Sequence, residues 1–272
     1  MVVIVVVVLS AAAVVGFLTR RQVFGTRSHD HPLARAEGVT ISELVVPART
    51  LAALVLAFVV VSVYSSFDDA GEQAATEAGA VLSMAEGATL LTPPARAEVL
   101  GRLTCYTRSV VGPDWRAQAG GAPSPVADAA ADQVTAALAR AAVDPRNATA
   151  VGAILADNSE RIRTRIQRFE DGRPSVPTVV WVVLLLSMAV MIGGLAALVH
   201  PGVRTGVQVA VLAGTTVVFG LTLLVVHDLD RPYSGPARTE PTAMIDVQRR
   251  IAALPGETVP VPVPCDGEGR SV

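Results

Sequence analysis

Lysine is absent from this chain, and all 22 of its basic residues are arginine. Charged residues of either sign make up only 17% of the 272 residues, and the formal net charge is −2. Charge this sparse and balanced offers no basic surface for a nucleic acid. The hydrophobic fraction of 51% is high for a soluble protein and indicates a membrane protein with the lipid bilayer as its surroundings.

The chain also lacks the motifs of the common enzyme classes. It has no glycine-rich phosphate loop, no nucleophile motif around serine or cysteine, and no CxxC pair. His227, Asp228 and Asp230 offer one imidazole and two carboxylates, but adjacent residues on a helix point apart and no second histidine is near. His29 and His31 are a weak candidate for a metal site, and a polar loop is the favoured interpretation. We therefore predict no enzyme, no cofactor and no metal site.

Four apolar segments are long enough to cross a hydrocarbon core of ~30 Å as helices. Their valine-rich runs would favour strands in water, but in lipid an isolated strand leaves its backbone groups unpaired. The first segment has no basic residue before it and is followed by Arg20 and Arg21, so a retained helix is favoured over a cleaved signal peptide. The segments are residues 2–18, 50–67, 177–199 and 205–226.

These segments predict an all-α integral membrane protein with four transmembrane helices and a helical domain inserted between helices 2 and 3. In the inserted domain Val99, Leu103, Tyr106 and Val110 recur at helical spacing, so they should form one buried face. The proline-rich tail should be extended unless Cys265 holds it. The predicted parts are helices 1 and 2 with a basic connecting loop (1–67), the extramembrane helical domain (68–175), a membrane hairpin of helices 3 and 4 (176–227), and an exit motif with the tail (228–272).

The arginines predict an orientation in the cell membrane. Arg20, Arg21, Arg27 and Arg35 lie in or beside the loop after helix 1, and Arg204 lies in the short turn before helix 4. Short arginine-rich loops tend to stay in the cytoplasm, so the N-terminus and the inserted domain are expected outside. Five arginines between positions 161 and 173 oppose this, but long segments weigh less in the rule.

Only two cysteines are present, Cys105 in the inserted domain and Cys265 in the tail. Four membrane crossings would place both on one side. Outside the cytoplasm they can form a disulfide. Two unrelated free thiols are an equal alternative, because bonding needs a geometry that the sequence does not give.

Charged residues gather where helices 2 and 4 are expected to leave the membrane. Both helices run in the same direction, so Arg231 can pair with Asp68 or Glu72 at a shared depth, where charge costs less than at the membrane centre. The arginine stripe before helix 3 can meet Glu77 or Asp230. A proline and a glycine then end helix 4 and turn the chain. The residues concerned are Asp68, Glu72, Glu77, Arg161, Arg165, Asp230, Arg231, Pro232, Ser234 and Gly235.

Small residues recur every four positions in the two last membrane segments, a pattern that lets helices approach closely. The short turn between the segments makes them antiparallel neighbours, so the two stripes are expected to face each other. The alternative is chance, because alanine and glycine are abundant here. The stripes are Ala189, Gly193 and Ala197 in helix 3, and Gly206, Ala210 and Gly214 in helix 4.

Three stretches resemble the bestrophin-like family of bacterial membrane proteins. They are "LVLAFVVVSVYSSFDDAGEQAATEAGAVL" from Leu54, "PTVVWVVLLL" from Pro177 and "LDRPYSG" from Leu229. The last is specific, since the family typically shows Leu-Asp-Arg-Pro-Phe-Ser-Gly. The resemblance implies four membrane helices with a large helical segment between the second and third.

The family has no assigned activity, and its link to bestrophins, which are pentameric chloride channels, is one of layout. A homo-oligomer and an anion as permeant ion are therefore expected by analogy of fold. The chain departs from true bestrophins in having no evident calcium clasp and no recognisable selectivity residues on helix 2. Bestrophins also keep the long segment in the cytoplasm, against the arginine distribution. Two functions follow: an oligomeric anion channel, or a non-conducting membrane protein whose helical domain binds a partner or supports an envelope complex.

Overall fold

A computed structural model of the chain describes residues 2–25, 41–198, 204–254 and 263–272. These residues form helices joined by turns, and the part of the chain so described has no strand beyond a single bridge between Cys265 and Ser271. The basic loop with Arg27 and Arg35 lies outside it, as do His29 and His31. The α-helices are α1 (Val2–Gly25), α2 (Ile41–Ala88), α3 (Ala95–Ser109), α4 (Trp115–Gln118), α5 (Pro125–Ala141), α6 (Ala148–Asp171), α7 (Thr178–Leu198), α8 (Thr205–Leu229) and α9 (Thr242–Ala252).

The chain divides into two compact units, each made of two separate stretches of the sequence. The first unit combines Met1–Tyr64 with Ser175–Asp230, and the second combines Ser65–Pro174 with Arg231–Val272. The tail thus groups with the helical middle of the chain. The long helix α2 contributes residues to both units.

The first unit contains the most apolar helices. Three stretches in the described residues are long and apolar enough to cross a membrane, namely Thr50–Ala88, Thr178–Ala196 and Gly206–Leu229, while the apolar stretch Val5–Leu18 of α1 is shorter. On α2 the side chains of Leu56, Val59 and Val63 point into the unit at intervals of three and four residues. They pack with residues of α1, α7 and α8: Val5, Leu9, Trp181, Leu184, Met188, Ile192, Leu223 and Val226.

The small-residue stripe of α7 packs against α1, which corrects the expected partner. A Cβ atom added at Gly16 would lie 2.3 Å from the carbonyl oxygen of Gly193, so only glycine permits this approach. The stripe of α8 is exposed, and Cβ atoms added at Gly206 and Gly214 would meet nothing within 4 Å. The two stripes therefore do not face each other, because α1 takes the surface of α7. Ala210 is exposed like its stripe neighbours, Ala189 is half-buried, and the side chain of Ala197 lies outside the described part of the chain.

The second unit is built around the face predicted on α3. Val99, Leu103, Tyr106 and Val110 are all fully buried, as their spacing predicted. Polar residues set the starts of the neighbouring helices. The side chain of Ser124 accepts a hydrogen bond from the amide of Val126 at the start of α5, and Asp144 caps a short 3-10 turn before α6 in the same way. Around the α3 face pack residues of the second half of α2, of α5, α6 and α9: Val81, Met84, Ala88, Val134, Leu138, Val151, Ile154, Met244 and Val247.

The end of the tail is held against α3 rather than extended. Cys105 and Cys265 are bonded as a disulfide, with their Cα atoms 5.8 Å apart. Arg108 donates a 3.1 Å hydrogen bond to the carbonyl of Asp266. Gly269 has a φ of +81°, and a Cβ there would come within 2.5 Å of the carbonyl oxygen of Cys105. The tail turn thus fits α3 only with glycine at this position.

Candidate functional site

The second unit contains a buried network of arginines and carboxylates centred on Arg168 of α6. This side chain is fully buried. Its Nε lies 2.6 Å from Oε2 of Glu77 on α2, and its second amino group lies 2.8 Å from Oδ2 of Asp114. Its remaining amino group donates to the side chain of Gln118, whose amide nitrogen donates in turn to the Arg168 carbonyl at 3.0 Å. The guanidinium therefore has a polar partner on each nitrogen.

Asp114 connects this centre to a second arginine. Its side chain is fully buried in a π-helical turn, Val110–Asp114, that follows α3. Oδ1 lies 3.1 Å from Arg165 and also accepts a 3.0 Å hydrogen bond from the amide of Ser124. Arg165 reaches a further carboxylate, that of Asp128, at 2.8 Å. The charges thus alternate in sign along a chain that runs from Glu77 to Asp128.

Tyr106 and Arg161 flank the chain of charges. The Tyr106 hydroxyl donates a 2.5 Å hydrogen bond to Oε1 of Glu77. The Arg161 guanidinium carbon lies 4.6 Å from the centroid of the Tyr106 ring, a cation–π distance. Arg161 also donates from Nε to Oδ1 of Asn158 at 3.0 Å. Its side chain has no carboxylate at ion-pair distance within the described residues.

The protonation states follow from burial and neighbouring charge. Burial, and then the charge of Glu77, raise the pKa of the Tyr106 phenol, so the hydroxyl stays protonated as a donor. Burial by itself would lower the pKa of Arg168, but the carboxylates of Glu77 and Asp114 outweigh it and raise this pKa. Over the physiological pH range Tyr106 therefore stays a hydrogen-bond donor and Arg168 stays a cation.

The arrangement is suited to holding elements together rather than to chemistry. Every carboxylate of its core is occupied by an arginine, and none is left as a free base. In the described part of the chain, no group of three or more histidine, cysteine, aspartate or glutamate side chains can hold a metal ion. Losing one partner of such a buried pair would leave an uncompensated charge, which is strongly destabilising. The network therefore fixes α2, α6 and the π-helical turn relative to one another.

The first part of "LDRPYSG" has a separate role in the first unit. Oδ1 of Asp230 accepts hydrogen bonds from the amide of Ser175 at 2.8 Å, from the Ser175 hydroxyl at 3.0 Å and from the amide of Val176 at 3.0 Å. These groups immediately precede α7. Asp230 therefore binds the end of α8 to the start of α7.

The rest of the motif is anchored in the second unit by an aromatic residue. The Tyr233 hydroxyl donates to the carbonyl of Ala70 at 3.0 Å, and its ring meets Trp115 edge to face at 5.2 Å. The pKa of the Tyr233 phenol is raised, chiefly because the side chain is buried. A Cβ added at Gly172 would lie 2.9 Å from the Tyr233 ring, so this contact also requires glycine. Pro232 is buried, Ser234 is half-buried, and Gly235 ends the motif at a φ of +87°.

The ion pair expected for Arg231 does not form among the residues that the structure describes. Arg231 is exposed, as are Asp68 and Glu72, and none of the three forms an ion pair within the residues that the structure describes. Water solvates these groups well, so little free energy would be gained by holding them together. The arginine stripe, in contrast, does meet Glu77, through Arg168, while Asp230 binds backbone groups instead.

The sequence patterns did not predict four members of the network: Asp114, Gln118, Asn158, and Tyr106 in its polar role. One signal was available for Asp114, since it is a lone acid in the otherwise apolar and aromatic stretch "VVGPDW". A carboxylate in such surroundings needs a buried cation as partner. Gln118, Asn158 and Tyr106 carry no comparable signal.

The match to known proteins covers nearly all of this architecture. A family model described as the Bestrophin-like domain matches residues 7–244. The chain belongs to the Bestrophin-like family. It is accordingly a membrane protein, helical throughout its described part and carrying apolar helices of membrane-spanning length. No curated protein matches this bestrophin-like chain.

Solved structures share the fold at low sequence identity. A bacterial bestrophin homologue from Klebsiella pneumoniae, solved with a single substitution, matches with a TM-score of 0.64 at 15% identity, covering 91% of this chain and 98% of that one. A second variant of that homologue gives 0.63 at 14% identity, covering 92% and 98%. The structure of a membrane protein, also with one substitution, gives 0.67 at 13%, covering 92% and 97%. At these identities the likeness establishes only the fold of the bestrophin-like chain.

Proposed function

We propose that this protein is an oligomeric ion channel of the bestrophin type that conducts anions across the cell membrane. The observation that carries the proposal is the family match over residues 7–244. Bestrophins are pentameric chloride channels, and the chain shares the fold of bacterial homologues over nine-tenths of its length. The proposed topology is multi-pass. Its four membrane helices are α1, the first part of α2, α7 and α8.

The pore is assigned to one face of α2 in the first unit. Leu51, Leu54, Phe58 and Val61 recur at intervals of three, four and three residues, and all are exposed. The opposite face, with Val59 and its neighbours, is occupied by the unit's own core. An exposed apolar stripe on a membrane helix borders lipid, another subunit or a pore. In a symmetric oligomer it would form an apolar constriction of the kind that gates by dewetting.

The orientation is proposed to follow the arginines, with the second unit outside the cytoplasm. The disulfide between Cys105 and Cys265 favours this side, because such bonds persist in oxidising compartments. Single cysteines at positions 30 and 120, in a background without the native pair, test it with a membrane-impermeant thiol reagent on intact cells. Labelling at 120 alone is expected. Labelling at 30 alone would reverse the orientation.

Recording from the purified protein in planar bilayers tests conduction, with a mass measurement on the solubilised assembly beside it. Unitary currents are expected, together with a mass that is a whole multiple of the 28.1 kDa chain. A reversal potential near that of chloride in asymmetric salt identifies anions as the permeant species. A reversal potential near that of the cation would refute anion selectivity while leaving the channel in place.

A second candidate function rests on a different surface. Leu155, Ile162 and Ile166 of α6 are apolar and substantially exposed, at 42%, 43% and 55%. They lie in the second unit, where an apolar patch commonly marks a protein contact. A non-conducting protein that binds a partner through this unit would show no unitary currents in the same recording.

A further inference from the structure

A cavity of about 560 Å³ opens beside α6 in the second unit. This volume is within the range of sites that bind small organic molecules. Its wall combines arginine side chains with apolar ones, chiefly Arg161, Arg165, Arg173, Ile162, Ile166 and Phe169.

Arg161 is the unusual member of this wall. It is only 2% exposed, yet it has no carboxylate partner in the described part of the chain. Arg165 and Arg168 differ from it, because each of them contacts two carboxylates. Nε of Arg161 donates to Asn158, and among the described residues no hydrogen bond engages its two terminal amino groups. Burying a cation without a counterion is costly, so an anion in the cavity would be favoured.

The rest of the wall constrains the body of such an anion. Nε of Arg165 is buried and has no hydrogen-bond acceptor among the described residues. Ile162 and Ile166 expose apolar surface in this wall, and burying that surface against an apolar ligand would be favourable. A ligand with a charged end and an apolar body would satisfy both parts of the wall.

The charge of the ligand is limited by acidic residues of the same wall. Asp128 is already paired with Arg165. Asp132 and Glu170 are exposed, so water screens their repulsion without removing it. A single buried guanidinium without a carboxylate partner matches one negative charge better than the two charges of a phosphate monoester. We propose that the cavity binds an amphipathic carboxylate, a monoanion with an alkyl or aromatic body whose carboxylate pairs with Arg161.

Equilibrium dialysis of radiolabelled octanoate tests this site independently of conduction. The full-length protein is held in phosphatidylcholine nanodiscs, and empty nanodiscs supply the blank for partitioning into lipid. Saturable binding is expected. Arg161→Gln removes the charged partner and should weaken binding about tenfold or more, the usual effect of losing a hydrogen bond to a charged group. Arg163→Gln is the matched control, because Arg163 lies on the same helix but is exposed and, in the part of the chain that the structure describes, pairs only with Glu160.

Two further variants separate loss of the site from loss of the fold. Thr135→Trp places a large side chain at an exposed position of the wall and should also weaken binding, whereas Asp132→Asn removes a repulsive charge and should tighten it. Unlabelled octan-1-ol should compete far less well than octanoate. The proposal is overturned if the wild-type protein shows no saturable binding, or if octanol competes equally. Binding that is unchanged by both Arg161→Gln and Thr135→Trp overturns it as well.

Discussion

Arg168 and Glu77 are 91 residues apart in the sequence, and their side chains form a fully buried ion pair of 2.6 Å. The pair joins α6 to the second half of α2, and Asp114 extends it to the π-helical turn. Within the second unit the network therefore holds together three elements that are far apart in the sequence. Trp115 and Phe169 lie at cation–π distance from the same guanidinium, at 5.2 and 5.0 Å. Arginine suits this position because its planar group stays charged and donates in several directions.

Replacing Arg168 by methionine should destabilise the second unit strongly. The change leaves Glu77 and Asp114 as buried carboxylates without a cation, which costs about 3–5 kcal/mol. Thermal or denaturant unfolding of the solubilised protein measures the loss. Arg163→Met on the same helix is the control, and it should change stability by less than about 1 kcal/mol because its pair is exposed.

A double-mutant cycle identifies the partner. Glu77→Gln combined with Arg168→Met should cost less than the sum of the two single changes, because the same contact is removed twice. Strict additivity would show that the two side chains do not share an interaction.

The second unit should lose stability above about pH 10, the usual pKa of tyrosine. Burial, followed by the charge of Glu77, raises the pKa of Tyr106 in the folded protein. The folded state therefore holds this proton more tightly than the unfolded state. Its contribution is complete below the unfolded pKa and decreases as the pH rises toward the folded pKa. The free energy of unfolding, measured between pH 8 and pH 11, should decrease as the pH rises above about 10.

Tyr106→Phe separates the two roles of this residue. At neutral pH the variant should be less stable by about 1–3 kcal/mol, because Oε1 of Glu77 loses its donor. Its stability should nevertheless depend less on pH above 10. A variant whose alkaline slope equals that of the wild type would show that another group titrates.

Asp230 and Arg231 are adjacent in the sequence but should differ sharply on substitution. Asp230→Ala leaves the Ser175 and Val176 donors without their acceptor and should destabilise the protein by about 1–3 kcal/mol. Arg231→Ala should change stability by no more than about 0.5 kcal/mol, because its side chain is exposed and unpaired in the described residues. Melting temperatures of the two solubilised variants decide the matter. A large loss with Arg231→Ala would restore a clamp at that residue.

Removing the disulfide should release the tail and lower stability. The bond closes a loop with a sequence separation of 160, and such closure contributes up to about 5 kcal/mol through the unfolded state. The double variant Cys105→Ser with Cys265→Ser should melt at a lower temperature than the wild type and lose its tail more readily to protease. Cleavage of the wild type between the cysteines should leave fragments that stay joined until reductant is added. Fragments that separate without reductant would show that the bond is absent.

The periodicity of apolar residues was sufficient to predict much of the fold. Val99, Leu103, Tyr106 and Val110 form a buried face because their spacing places them on one side of a helix, and apolar surface dominates such packing. The contact between α1 and α7 was harder to predict from the sequence. Alanine and glycine stripes indicate that a helix can be approached closely, but they do not say which neighbour approaches. That choice depended on Gly16, which carries no pattern of its own.

Long-range polar partners were the least predictable part of the candidate site. The arginine stripe indicated that α6 needs acidic partners, and Glu77 was among those considered. Asp114 was missed because its position depends on a π-helical turn, which local spacing does not reveal. For Arg231, Asp68 and Glu72 the sequence suggested an ion pair that the described residues do not form. A shared depth at a membrane boundary does not require contact.

Truncation of Phe58 tests the central claim, that the chain is a channel whose pore is bordered by α2. Phe58 is 75% exposed on the proposed pore face, and Leu186 of α7 is a comparable apolar side chain, 63% exposed, on another membrane helix. Unitary conductance is recorded in planar bilayers for the wild type, Phe58→Ala and Leu186→Ala. Phe58→Ala is expected to raise conductance, because it widens an apolar constriction, and Leu186→Ala is expected to leave it unchanged. The absence of unitary currents from all three proteins, or equal conductance in all three, would contradict the claim.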